Sequence, residues 1–185
     1  MDNRPDRLKS FHQNIFPFEV ERYPGVIASC GEDGCTRSHL AILKKQVDLP
    51  FVIFEDDCVL INSWDVVEKA MKQLPANWDM LYLGANPNIP LTRYSMNLYK
   101  LWRAWTTHAI IYGSHRVIDY VLKHSCNVPP GKNIDIFYCN IIQKKFNCFV
   151  TYPMVATQLS DYSDIAKKNT SNYHELITNY NKHIV

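Results

Sequence analysis

One short apolar run constrains the fold of this chain more than any other feature of its sequence. Phe51-Val52-Ile53-Phe54 contains no polar residue and consists of aromatic and β-branched side chains. Such a run is typical of a central strand that is covered on both faces. The run ends directly in three acids, Glu55-Asp56-Asp57, which we call the acidic triplet. The sequence therefore predicts a buried strand with three carboxylates at its carboxyl end.

Helical and extended patterns alternate along most of the chain. Segments with apolar residues at helical spacing alternate with short apolar runs, and prolines and glycines mark the boundaries. Residues 85–103 are predicted to form an irregular excursion around the rim of the sheet. This alternation predicts an α/β fold with a largely parallel central sheet flanked by helices. The predicted helices span residues 37–47, 63–74, 114–122 and 135–142, and the predicted strands span residues 51–54, 80–83, 109–112 and 149–152.

Length and charge narrow the class of protein. With 185 residues the chain fits one domain, residues 1–185. The formal net charge of +2 is too small to suggest a nucleic-acid partner held by a broad basic face. The longest apolar runs are far shorter than the roughly 20 residues that a membrane span needs. We therefore expect a soluble protein without a nucleic-acid partner and without a membrane span.

The sequence also indicates a compartment. Residues 1–7 are charged and no continuous apolar stretch follows them, so they are not typical of a secretory signal. The six cysteines contain no CxxC pair, which favours reduced thiols over a disulfide framework or a zinc site. We expect a cytoplasmic protein. Residues 160–185 are rich in Asn, Ile, Lys and Tyr, which is compatible with an AT-rich viral genome and hence with the host cytoplasm.

The acidic triplet is the strongest signal for chemistry. Carboxylates at the end of a buried strand are costly unless a cation compensates them. In extended backbone, Glu55 and Asp57 point to the same side, so two oxygen ligands converge on one Mn²⁺ or Mg²⁺ ion. Open α/β sheets also bind ligands beyond the carboxyl ends of their strands. A solvated loop with capping acids is the alternative that these residues leave open. A metal held by so few carboxylates usually meets substrate phosphate oxygens, which suits a diphosphate leaving group.

A family resemblance becomes specific at residues 31–39. Gly31-Glu32-Asp33-Gly34-Cys35-Thr36-Arg37-Ser38-His39 resembles the GExGCxxSH signature of glycosyltransferase family 25, which includes lipooligosaccharide and procollagen galactosyltransferases. Five later segments are similar to the family pattern, and such an ordered set is hard to produce by chance. These segments are Phe54-Glu55-Asp56-Asp57, Trp78-Asp79-Met80-Leu81-Tyr82-Leu83-Gly84, Thr107-His108-Ala109, Ile134-Asp135-Ile136-Phe137, and Gln158 followed by Ser163-Asp164-Ile165.

The resemblance implies a Rossmann-like GT-A fold, a nucleotide-sugar donor, and inversion at the sugar carbon. It also implies that Mn²⁺ is held by the acidic triplet. Glu55 and Asp57 match the outer acids of the family's DxD-like motif and are the expected metal ligands, with Asp56 beside them on the donor side.

Five further residues are expected on the donor side. Arg4 and Arg7 belong to a segment that resembles the RxDR element with which the family helps to bind the nucleotide. Ser38 and His39 lie in the signature, and they would begin a helix whose free N–H groups attract phosphate, with Arg37 adding a positive charge. A capping serine and a structural histidine are the alternative.

Inverting transfer needs a base for the acceptor hydroxyl, and a partly buried carboxylate is the usual choice. Asp135 is the candidate, because it precedes an apolar helix and matches an acidic position of the family. A helix cap is the alternative reason for an Asp there. Asp161 and Asp164 are reserve candidates.

One departure from the family pattern affects the donor site. In the family a first β-strand precedes the RxDR element, whereas only two residues precede Asn3 in this sequence. We therefore expect the first nucleotide-binding strand to be absent from residues 1–185. Donor binding is then weakened, completed by another chain, or lost.

Three functions follow from these observations. The leading prediction is a metal-dependent, inverting hexosyltransferase that moves galactose or glucose from a UDP-sugar to a glycan or a hydroxylated protein acceptor. The second is a catalytically inactive relative that acts as a binding or assembly partner in a homo- or hetero-oligomer. The third is a metal-dependent phosphohydrolase or nuclease, for which a second ligand set and a basic track are not evident.

Overall fold

Helices and strands alternate along the chain, as the apolar patterns predict. The computed structural model describes residues 4–45, 48–125, 128, 133–160, 162–163, 168–169 and 172–184. The helices are α1 (Pro5–Phe11), α2 (Gly31–Leu43), α3 (Trp64–Met71), α4 (His115–His124), α5 (Ile134–Phe137), which continues as a π-helical turn (Tyr138–Ile142), α6 (Gln143–Lys145) and α7 (Asn172–Lys182). The strands are β1 (Phe51–Phe54), β2 (Cys58–Leu60), β3 (Met80–Tyr82), β4 (Asn86–Pro87), β5 (Thr92–Arg93), β6 (Leu98–Lys100), β7 (Ala104–Trp105), β8 (Ala109–Tyr112), β9 (Cys148–Thr151), β10 (Ala156–Gln158), β11 (Tyr162–Ser163) and β12 (Lys168–Asn169).

Most of the predicted elements are confirmed within a few residues. Strands β1, β3, β8 and β9 and helices α3 and α4 occupy the predicted segments. The helix predicted over residues 37–47 instead starts at Gly31 and ends at Leu43, and residues 46 and 47 lie outside the described residues. Residues 85–103, predicted as irregular, contain the short strands β4, β5 and β6.

The central sheet is mostly antiparallel, so the prediction of a largely parallel sheet is wrong. The strand order is β1-β8-β3-β9-β6-β5, and only β3 and β9 pair in parallel. Residues 84–108 return from the end of β3 to the start of β8 without a helical crossover. A parallel return usually has such a helix, and β8 instead enters between β1 and β3 antiparallel to both. The GT-A fold remains a prediction, and a mixed α/β architecture is what the structure shows.

The sheet is covered on both faces. Successive residues of β8 point to opposite sides: Ile110 belongs to the apolar cluster beneath α2, α4 and α5, and Ile111 belongs to the cluster against α3. One buried polar pair joins the helical layer to the sheet, where Gln143 Nε2 donates to the hydroxyl of Tyr82 at 3.0 Å. None of the described helices is both long and apolar enough to cross a membrane.

The register between β1 and β8 determines which residues lie beside the acidic triplet. Phe54 lies opposite Ala109, and the next residue continues the ladder, with the backbone N–H of Glu55 donating to the carbonyl of His108 at 2.9 Å. The residues that precede β8 therefore lie beside the acidic triplet, at the carboxyl ends of β1 and β3.

Gly84 follows β3 at this edge and has no room for a side chain. A Cβ there would overlap the carbonyl oxygen of Ala156 and approach Nε2 of His108 to 2.9 Å. We expect Gly84→Ala to lower the free energy of unfolding by about 1–3 kcal/mol, as overpacking does. Urea unfolding would measure this. Gly25→Ala at an exposed position is the control, and equal losses in both variants would contradict the prediction.

Candidate functional site

A large cleft lies against the open edge of β1. Its volume is about 2000 Å³, and α2, β1 and residues 12–30 form most of its walls. This exceeds the roughly 300–1,000 Å³ of most small-molecule pockets, so the cleft has room for more than one ligand. The predicted site residues that line it are Arg7, Ser38, His39, Glu55, Asp56, Asp57 and Asp135.

The acidic triplet lies in a turn, not in extended backbone. The N–H of Cys58 donates to the carbonyl of Glu55 at 3.1 Å, and the carbonyl of Asp57 accepts from the N–H of Leu159 at 2.7 Å. The expectation that extended geometry aligns Glu55 with Asp57 is therefore wrong, because the chain turns immediately after β1. The turn still leaves all three carboxylates on the wall of the cleft.

Two hydrogen bonds fix the carboxylate of Glu55. His39 Nε2 lies 3.0 Å and Thr107 Oγ1 lies 2.6 Å from its Oε1. Burial alone would raise the pKa of Glu55, but these hydrogen bonds and the neighbouring imidazole outweigh it, and the pKa lies below its usual value. Glu55 is thus held as a carboxylate, and its Oε2 receives no hydrogen bond from the described part of the chain.

Arg7 pairs with the other two acids, Asp56 and Asp57. Arg7 is 8% exposed, and its Nη1 lies 3.0 Å from Asp56 Oδ1 and 3.7 Å from Asp57 Oδ2. Gln158 Nε2 donates to Asp57 Oδ2 at 3.3 Å. Burial and the charge of Glu55 nevertheless raise the pKa of Asp57 to about 7. A bound cation would favour the ionised form of Asp57 against both of these effects.

Asp135 reaches the same cleft from α5. Its Oδ2 accepts a hydrogen bond from the N–H of Thr106 at 3.4 Å, and its Oδ1 is buried without a partner among the described residues. Burial raises the pKa of Asp135. Thr106 has a φ of 75°, a conformation that is uncommon and costly for a residue other than glycine. A buried carboxylate with an unused oxygen and a strained neighbour is characteristic of functional sites.

Ser38 and His39 lie inside α2, so the expectation that they begin a helix is wrong. Helix α2 starts at Gly31, so the whole signature, residues 31–39, lies within the helix. Ser38 Oγ donates to the carbonyl of Gly34 at 2.7 Å and accepts from the N–H of Val26 at 2.9 Å. Ser38 therefore ties the extended wall of the cleft to the helix.

Arg4 and Arg37 are not brought to the cleft. Arg4 pairs with Asp6, with 2.6 Å between Nη2 and Oδ2. The Arg37 side chain is 60% exposed and pairs with Asp33 at 2.8 Å, one turn earlier on α2. Neither arginine lines the cleft.

Three residues contribute to the site without having been assigned a role from the sequence. They are Cys35, Thr107 and Gln158. All three occur in the segments that carry the family resemblance, which is the signal that could have marked them. Thr107 meets Glu55 only because β8 is antiparallel to β1, a pairing that the sequence did not predict. Burial and the nearby carboxylates raise the pKa of the Cys35 thiol, which is therefore neutral.

The reserve acids Asp161 and Asp164 lie outside the described residues. His108 is fully buried behind the site, and burial lowers its pKa, so the ring is neutral. Its Nε2 lies 3.2 Å from the carbonyl of Ala156, which is a structural contact. The cysteines in the described ranges, residues 30, 35, 58, 139 and 148, are free thiols.

Comparison with known proteins identifies the family. The model of "Glycosyltransferase family 25 (LPS biosynthesis protein)" matches residues 4–123, which is more than half of the chain. The chain therefore belongs to glycosyltransferase family 25. The matched region contains Arg7, the signature in α2, the acidic triplet and Thr107, whereas Asp135 and Gln158 follow it. Comparisons with curated proteins and with solved structures found no match.

The pKa of Asp57 makes the stability of the metal-free protein depend on pH. Because its folded-state value of about 7 exceeds the unfolded value of about 3.9, the folded protein binds more protons between these values, and its stability falls as pH rises through this window. Asp57→Asn cannot ionise. The variant should therefore gain stability relative to the parent by up to roughly 1.4 kcal/mol per pH unit between about pH 5 and 7.

Urea unfolding at a series of pH values, in the presence of a chelator, would measure this difference. Asp65→Asn on the exposed face of α3 is the matched control. A parent-to-variant difference that stays constant from about pH 5 to 8 would contradict the raised pKa.

Proposed function

We propose that this member of family 25 is a metal-dependent inverting hexosyltransferase that uses a UDP-sugar donor. The observation that carries the proposal is the clustering of three half-buried carboxylates on the wall of a cleft large enough for donor and acceptor, with Arg7 paired to two of them. Galactose or glucose is the proposed sugar, and a glycan or a hydroxylated protein side chain is the proposed acceptor.

Glu55 and Asp57 are the residues that would hold Mn²⁺ or Mg²⁺. Their oxygens are the hard ligands that these ions prefer. Burial and the charge of Glu55 raise the pKa of Asp57, and a bound cation would oppose both effects. A bound ion of this kind offsets the charge that develops on a departing diphosphate. His39 and Thr107 hold Oε1 of Glu55, which leaves Oε2 for coordination.

Arg7 is the proposed contact to the donor diphosphate. Its guanidinium lies between Asp56 and Asp57 and is held there in a nearly buried position. A positive charge next to a metal site suits phosphate oxygens. Arg4 and Arg37 are left out of the proposed donor site because neither lines the cleft.

Asp135 is the proposed base. The acceptor oxygen attacks the anomeric carbon on the face opposite the diphosphate, its proton passes to a carboxylate oxygen of Asp135, and the bond to the diphosphate oxygen breaks. The orphaned Oδ1 is available to accept that proton. Burial raises the pKa of Asp135 toward neutrality, which is the direction that favours general-base catalysis.

Donor binding tests the metal ligands. Mn²⁺ together with UDP should stabilise the parent protein, by about 2.7 kcal/mol when the ligand is at 100 times its Kd, whereas ADP should have little effect. Asp57→Asn should abolish the Mn²⁺-dependent part of this stabilisation, and Asp65→Asn should retain it. Thermal unfolding with each ligand alone and combined provides the measurement. Stabilisation of Asp57→Asn equal to that of the parent would show that Asp57 is not a ligand, and the absence of any shift in the parent would favour the inactive relative.

Transfer kinetics test the base. Asp135→Asn should leave Mn²⁺-dependent UDP binding intact and lower kcat by about 10²–10⁴-fold, the usual contribution of a general base. Asp119→Asn on the exposed face of α4 is the matched control and should keep the parental kcat. The release of UDP in the presence of an acceptor would be followed. A variant at position 135 with unchanged kcat would exclude the carboxylate as the base.

A further inference from the structure

A second set of potential metal ligands overlaps the acidic triplet and differs from it in chemistry. One oxygen of Glu55, one ring nitrogen of His39 and the Sγ of Cys35 lie within 4.8 Å of one another. Cys35 and His39 are four residues apart on α2, so they occupy the same face of the helix. That face is turned toward the end of β1, where Glu55 lies.

The separation of these three atoms suits one small ion. Ligand atoms bound tetrahedrally at about 2.0–2.3 Å from Zn²⁺ lie roughly 3.3–3.6 Å apart. His39 Nε2 and Glu55 Oε1 are already 3.0 Å apart, joined by a hydrogen bond. The Sγ of Cys35 lies within 4.8 Å of both residues' ligand atoms, and a rotation about its single side-chain torsion changes these distances. The three atoms are therefore close enough for side-chain adjustment to form the site.

His39 is the most deeply buried of the three residues, with 3% of its surface exposed. Its Nε2 is the ring nitrogen that faces Glu55, whereas its Nδ1 is buried without a hydrogen-bond partner among the residues that the structure describes. A metal that binds Nε2 leaves the ring proton on Nδ1. The packing around His39 therefore holds a potential ligand nitrogen in place beside Glu55.

We propose that Cys35, His39 and Glu55 together bind one Zn²⁺ ion. Thiolate and imidazole select Zn²⁺ over Mn²⁺ and Mg²⁺, which prefer carboxylates and water. On binding, the Cys35 thiol releases its proton to solvent and its sulfur bonds to the ion. His39 releases the proton on Nε2 and carries its ring proton on Nδ1, and the hydrogen bond between His39 and Glu55 is replaced by bonds from both residues to the ion. Three protein ligands and one water complete a tetrahedral site.

The Zn²⁺ site shares Glu55 with the Mn²⁺ site of the proposed function, so the two ions compete. This consequence rests on the proposed function, whereas Zn²⁺ binding itself does not. Two substitutions distinguish the Zn²⁺ site from the Mn²⁺ site. Cys35→Ser removes a ligand of Zn²⁺ alone, and Asp57→Asn removes a ligand of Mn²⁺ alone.

The experiment titrates the full chain with Zn²⁺ against a chromophoric chelator, and with Co²⁺ as a spectroscopic substitute. The parent should bind one ion per chain, and its Co²⁺ form should show a thiolate-to-metal charge-transfer band. Cys35→Ser should lose this band, and its Zn²⁺ affinity should fall by at least the roughly 10–100-fold that loss of an outer-shell partner costs. Cys30→Ser, at the residue that precedes α2, is the matched control and should bind as the parent does.

Two results would overturn the site. The first is a parent protein whose Co²⁺ form lacks the thiolate band, which requires no variant to fold. The second is a Cys35→Ser variant, with a circular dichroism spectrum like that of the parent, that binds Zn²⁺ as tightly as Cys30→Ser. Mn²⁺ titrations distinguish failure of the Zn²⁺ site from failure of the Mn²⁺ site. If Asp57→Asn retains Zn²⁺ binding while the parent binds no Mn²⁺, the Zn²⁺ site is supported and the proposed Mn²⁺ site is wrong.

Discussion

The antiparallel pairing of β8 with β1 is the contact on which the rest of the site depends. The pairing opposes Phe54 to Ala109 and extends by one rung, from Glu55 to His108. It brings Thr107 to the carboxylate of Glu55, which is held on its other side by His39 from α2. A strand, a helix and the start of a second strand thus meet at one oxygen. A shift of register by one residue would turn Thr107 away from it.

The charge of the carboxylates around Glu55 supports a cation-binding role for this part of the cleft. The cleft wall carries the acidic triplet and Asp135, and among the described residues Arg7 is a cation in contact with the triplet. Burial and the charge of Glu55 raise the pKa of Asp57, while two hydrogen bonds keep Glu55 ionised. The metal-free protein therefore carries an electrostatic cost that a cation would remove. Grouped carboxylates of this kind lower the stability of the metal-free protein and make it able to bind a cation.

The sequence predicted the elements of this site better than their arrangement. The apolar run of β1 and the acids that follow it sufficed to place the triplet at the end of a buried strand. The direction of β8 was missed, because alternating helices and strands predict crossovers and cannot reveal that residues 84–108 return along one edge. The expectation that Ser38 and His39 begin a helix was wrong for a local reason, since the signature that contains them lies inside α2 and not before it. Cys35 lacks the CxxC spacing of common metal motifs, and only the packing of α2 against β1 reveals its neighbours.

The two threonines before β8 link the halves of the site. Thr107 donates to Glu55, on the side where the donor is proposed to bind, and the N–H of Thr106 donates to Asp135, the proposed base. Thr106 reaches that position only with a left-handed backbone, at a cost of the order of 1–3 kcal/mol that the surrounding structure must offset. The family match covers both threonines and ends before Asp135. The position of Asp135, the proposed base, therefore depends on a backbone conformation that is set within the region matched by the family model, so a change in either threonine would affect both halves of the proposed site.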